Sequence, residues 1–113
     1  MIIDVSKVKI FVTVPKEQID EVRTAVLEAG AGHIGNYTHC SSVVDCIGTF
    51  KPNDLANPYL GNKNKLEFVE EIKLEVVCNT EQVKDILLII REVHPYEEPA
   101  IDIVPLLDES SFI

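Results

Sequence analysis

The chain has 113 residues, 46 % of them hydrophobic and 26 % charged, which is the length and mixture of one globular domain, residues 1–113, able to bury a core without metal or disulfide staples. Ten Lys and Arg against nineteen Asp and Glu leave a net charge of −9, and the basic residues are dispersed, so no nucleic acid and no anionic membrane is expected as a partner. An apolar run of about 18 residues, as a membrane span requires, is missing.

The first residues, MIIDVSKVKIFV, carry charges at Asp4 and Lys7 and run straight into a strand-like pattern, without the parts of a signal peptide. Val8, Ile10, Val12 and Val14 alternate with Lys7, Lys9, Phe11 and Thr13, which predicts a strand over 7–14. Pro15 suits the first turn of a helix, with Glu17 and Asp20 near its positive end. Ile19, Val22, Val26 and Ala29 keep helical spacing, and Gly30 and Gly32 end the helix. Residues 33–41 read as a connection and 42–50 as a second strand, in which Gly48 marks a bulge or a close backbone approach. Residues 51–64 hold two prolines, a glycine and four asparagines, a loop of the length that more often carries function.

Residues 65–78 alternate again, with Phe68, Ile72, Leu74 and Val76 on one face together with Glu70, and Glu67, Val69, Glu71, Lys73, Glu75 and Val77 on the other. Thr80 is an N-cap for a second helix striped by Val83, Ile86, Leu87, Ile90 and Val93. His94-Pro95 stops it, and a last strand falls near 101–106. The order β-α-β-β-α-β is that of an α+β, ferredoxin-like sandwich: two helices on one face of an antiparallel four-stranded sheet. The other face then carries lysines and glutamates with Phe11, Val69 and Val77, and reads equally as a solvated surface or an oligomer interface.

Three cysteines, Cys40, Cys46 and Cys78, form no CxxC pair. They point to a reduced chain, with the cytoplasm as the default compartment. Cys40 beside His39 is an activated thiol or a buried inert one. In HPYEEP, residues 94–99, His94, Glu97 and Glu98 offer donors suited to a divalent cation; alternatively the segment is structural, its prolines directing the chain and His94 bonding a loop carbonyl. Convergence of His39 and His94 with Glu98 would complete a metal site. Neither a dinucleotide nor a phosphate-loop motif occurs, and no serine sits in a nucleophile elbow.

Gly32, Ile34-Gly35-Asn36-Tyr37, Cys40-Ser41, Gly48-Thr49-Phe50, Pro52, Ala56-Asn57-Pro58, Gly61 and His94-Pro95-Tyr96-Glu97-Glu98-Pro99 form a specific combination. Together they resemble the small PII/CutA-like domain inserted in, and sometimes freestanding from, the Ngg-one-interacting-factor-three-like proteins. The resemblance spans about 6–107, with departures at Asp45, Cys46 and Asn53-Asp54-Leu55. HPYE followed by Pro is also similar to the end of CutA, the trimeric divalent-cation-tolerance protein. The resemblance implies a homotrimeric module that binds a small ligand or a divalent cation, with Asn36, Tyr37, Asn57, Tyr96 and Glu97 as ligand contacts and His39, His94 and Glu98 as metal ligands. The family's dinuclear metal site lies in flanks that this sequence lacks, so its hydrolase-like chemistry is not expected here. A metal-assisted accessory hydrolase and a protein-interaction domain without a small ligand are the alternatives.

Overall fold

A computed structural model describes residues 5–113; the segment 1–4, with the charge at Asp4, lies outside the described residues. The strands are β1 (Lys7–Pro15), β2 (Ser42–Phe50), β3 (Glu67–Asn79) and β4 (Ile101–Pro105), and the helices are α1 (Ile19–Glu28) and α2 (Val83–Val93). The sheet runs β2-β3-β1-β4 with every neighbouring pair antiparallel. This is the ferredoxin-like βαββαβ sandwich that the alternation of periods predicts.

The core lies between the sheet and the helices. Val8, Ile10, Val12 and Val14 of β1 and Leu74, Val76 and Cys78 of β3 pack against Val22 and Val26 of α1 and Ile86 and Ile90 of α2. Burial pushes the Cys78 thiol up, so that it serves as a small core residue. Among the described residues no helix is long and apolar enough to cross a membrane.

Two local expectations are corrected. Pro15 is the last residue of β1, extended at φ −52° and ψ 140°, and a single 3₁₀ turn separates it from α1. Thr80 does not cap the second helix, because its hydroxyl donates to the Val5 carbonyl at 2.8 Å. Asn79 takes that place in a capping box, and Gln82 Oε1 accepts the Asn79 N–H at 2.9 Å. Phe68 shares the core face with Ile72 and Leu74, yet it is 69 % exposed. The helices cover β1 and the C-terminal half of β3 but leave β2 and the start of β3 open, as the exposure of Val43 and Ile47 on the same face confirms.

Gln82 also donates from Nε2 to the Gly30 carbonyl at 3.1 Å, joining the end of α1 to the start of α2. Gln82→Ala removes both bonds and should cost about 1–2 kcal/mol. Urea denaturation checks this; an unchanged midpoint would show that the capping box contributes nothing.

Candidate functional site: an acidic, aromatic-walled cleft

Glu71 lies on β3 opposite Pro15 of β1 and Cys46 of β2, on the face of the sheet away from the helices. Carboxylates on such a face normally stand in water. Glu71 is only 6 % exposed, because the loop after β2 and the segment after α2 fold over it. Room for its carboxylate comes from Gly48: a Cβ at that position would lie 1.8 Å from Glu71 Oε1. The β2–β3 register continues unbroken through Gly48, so the glycine marks a close approach and not a bulge.

Tyr96 closes the site from above. Its hydroxyl donates to Glu71 Oε2 at 2.8 Å. Burial, then the hydrogen bond and charge of Glu71, hold the phenol well above the usual tyrosine range, so it remains a donor. His94 seats the tyrosine: Nε2–H donates to the Thr13 carbonyl at 2.7 Å, and Nδ1 accepts the Tyr96 backbone N–H at 3.1 Å. Both ring nitrogens are thereby used by the neutral imidazole. Burial lowers the His94 pKa, with the Thr13 bond and the Glu71 charge opposing it.

Phe50 and Tyr59 stand at 6.1 and 6.4 Å from the Tyr96 ring, tilted by 56° and 54°. The Asn57 backbone N–H donates to Glu97 Oε1 at 3.1 Å and ties the long loop to the HPYEEP segment. The result is a cleft of about 270 Å³ walled by the three rings, by Pro52, Pro58 and Leu60, and by the carboxylates of Glu71, Glu97 and Glu98. Lys51 is the one cationic side chain on its lining. None of the ion pairs among the described residues involves Glu71, Glu97 or Lys51.

The residues singled out from the sequence divide accordingly. Tyr96, Glu97 and Glu98 line the cleft, and Asn57 holds its loop in place through the backbone. Asn36 and Tyr37 form a tight turn, with reciprocal Ile34–Tyr37 backbone bonds of 2.9 Å, and are absent from the lining; Tyr37 is 75 % exposed. His39, His94 and Glu98 are not brought together in one copy. His39 bonds Glu28 at 3.0 Å and Thr38 at 2.9 Å, His94 is committed to backbone, and Glu98 approaches Arg91 at 3.7 Å. Among the described residues, no three His, Cys, Asp or Glu side chains are placed to hold a metal ion. Cys40 Sγ approaches the Thr38 carbonyl at 3.9 Å, so the His39 ring, bonded elsewhere, does not serve as its base.

Phe50, Lys51, Tyr59 and the seat of Glu71 are the cleft-lining positions that pattern reading missed. The one available signal was a glycine inside a strand whose neighbouring strand carries a glutamate on the same face.

The chain is 46 % identical over 101 residues to the GTP cyclohydrolase 1 type 2 homolog of Halalkalibacterium halodurans, a match covering 89 % of this chain and 27 % of that protein. It superposes on the Bacillus cereus protein related to NIF3 with a TM-score of 0.81 at 36 % identity, over 95 % of this chain and 27 % of that one. The chain thus spans about a quarter of the length of the relatives it matches. The periplasmic divalent cation tolerance protein CutA from Archaeoglobus fulgidus (TM-score 0.67, 18 % identity, 90 % of this chain and 85 % of that one) shares the fold. So does the Arabidopsis thaliana PII bound to citrate (TM-score 0.63, 23 % identity, 93 % of this chain and 79 % of that one). No family model matches the chain.

Proposed function

We propose that this chain, which matches the PII/CutA-like segment of NIF3-related proteins, is a ligand-binding regulatory module whose site is the Glu71–Tyr96 cleft. The observation that carries this reading is a glutamate 6 % exposed, on a sheet face with no helix, lining an open cleft. A buried carboxylate costs free energy unless something compensates it, here the Tyr96 hydroxyl, and a carboxylate kept at the floor of a cleft is placed to receive a ligand. The HPYEEP segment acts here as a scaffold: His94 and Tyr96 set the cleft, while Glu97 and Glu98 supply its rim.

Self-association belongs to the same proposal. The open face presents Val44 and Val104 beside the half-buried Phe11, Val69 and Val77, and we assign it to contacts between copies in a homotrimer. The cytoplasm suits its three free thiols. Sedimentation of the whole chain should give a trimer at micromolar concentration; a clean monomer would remove the assembly. Calorimetry against a panel of amines, carboxylates, nucleotides, zinc and copper tests the cleft. Wild-type and Glu71→Gln giving the same titration with every member would remove Glu71 from the site.

A further inference from the structure

We propose that the cleft selects a small organic ammonium ion, an assignment that rests on the cleft being the ligand site. Glu71 Oε2 takes the Tyr96 hydroxyl, and no side-chain or backbone donor among the described residues reaches Glu71 Oε1. That oxygen sits on a side chain more than nine-tenths buried, in the lining of the cleft. That acceptor is left to water in the free protein, a ligand N–H can take the water's place, and a carboxylate favours a charged donor.

The walls add an independent argument. Phe50 and Tyr59 tilt against Tyr96 at 6.1 and 6.4 Å, and all three rings share the cleft lining with the Glu71 carboxylate. Rings so arranged attract a cation through their quadrupoles and hold its alkyl body by dispersion. Pro52, Pro58 and Leu60 continue the apolar wall, which suits a ligand that is part hydrocarbon and offers nothing to a hydrated metal ion. Among the described residues of the lining, Lys51 is the one cation, against Glu71 and Glu97, with Glu98 facing Arg91 at 3.7 Å. The chain's net charge of −9 draws cations toward the molecule and repels phosphates and carboxylates. A volume of about 270 Å³ admits a short alkylammonium and not a large cofactor. A primary or secondary ammonium fits better than a quaternary one, because its N–H can bond Glu71 Oε1.

The test is an NMR titration of the whole chain with n-butylammonium, tetramethylammonium, n-butanol and butyrate, following the ring protons of Phe50, Tyr59 and Tyr96. Butylammonium should move all three rings and bind more tightly than the other probes. Glu71→Gln should weaken it by about 10-fold or more, the loss expected for a buried charged hydrogen bond. Tyr59→Leu, on the exposed side of the cleft, should weaken it by about 3-fold without unfolding the chain, and keeps the proposal testable if Glu71→Gln does not fold. Butyrate or butanol binding as well as butylammonium would overturn it, as would undiminished affinity in both variants. Zinc, copper, a nucleotide or a carboxylate moving these rings while ammonium ions do not would overturn the ammonium assignment and leave the cleft as the ligand site. Rings that no probe moves would overturn both.

Discussion

Gly48→Ala should destabilise the chain by about 2–3 kcal/mol and empty the floor of the cleft, although it adds a single methyl group to a strand. Alanine is at least as good a strand residue as glycine, and the Gly48 backbone is not in the left-handed region, so local conformation predicts no loss. The cost comes from across the ladder. The new Cβ would lie 1.8 Å from Glu71 Oε1 and 2.7 Å from its Cδ, and the carboxylate has to leave. Its departure strips the Tyr96 hydroxyl of its acceptor in a half-buried setting, and that unmet donor accounts for most of the loss. A double-mutant cycle separates this cause from a general effect on β2. In a Glu71→Ala background there is no carboxylate to displace, and Gly48→Ala should then be close to neutral, giving a coupling of about 2–3 kcal/mol. Additive losses by urea denaturation would mean that the glycine is needed for some other reason. The Tyr96 phenol, held high in part by Glu71, should titrate at lower pH in Gly48→Ala by ultraviolet absorbance, a readout that simple destabilisation does not predict.

Why that glycine matters was half legible in the sequence. The strands were readable because each buries one face: Val8, Ile10, Val12 and Val14 meet the helices, and alternation reports burial of that kind directly. Helix α2 was readable from the spacing of Ile86 and Ile90, and its stop from Pro95. Glu71 escapes the same logic. Its period places it on the helix-free face, where glutamates belong, and its burial comes from the loop after β2 and the HPYEEP segment, both folding onto that face from elsewhere in the chain. No local pattern encodes such coverage. Thr80 and Asn79 show a smaller failure of the same type. Both residues can cap a helix, and a partner 75 positions away, the Val5 carbonyl, decides which one does. His94 was read as either a metal ligand or a residue satisfying a loop carbonyl. It bonds a carbonyl, but that of Thr13 in strand β1, 81 positions away, and not one in a loop at the helix end, a partner that sequence proximity could not indicate.

His94→Ala should be the most damaging single change in the site, costing about 3–4 kcal/mol. The imidazole is 6 % exposed and bridges two backbone groups, so its loss leaves the Thr13 carbonyl and the Tyr96 N–H without partners and opens a void under the Tyr96 ring, 5.0 Å away. The same bridge makes stability depend on pH with a definite sign. Protonation would put a hydrogen on Nδ1, facing the Tyr96 N–H that Nδ1 now accepts, and burial already disfavours the charged ring. The folded pKa therefore lies below the ordinary value of 6.5. Above 6.5 both folded and unfolded chains carry a neutral His94 and its contribution is complete. As the pH falls below 6.5 the unfolded chain takes up a proton that the folded chain refuses, and stability drains away until the folded pKa is reached. The slope within that window approaches about 1.4 kcal/mol per pH unit. Denaturation of wild type and His94→Gln from pH 8 to pH 5 should show a constant stability gap at the top of the range and a narrowing one below about 6.5. His39→Gln provides the control, since His39 is a half-exposed partner of Glu28 and its removal should leave the narrowing in place. A gap that widens toward acid would mean that Glu71 holds a charged imidazole, and that the Tyr96 N–H is satisfied by some group other than Nδ1.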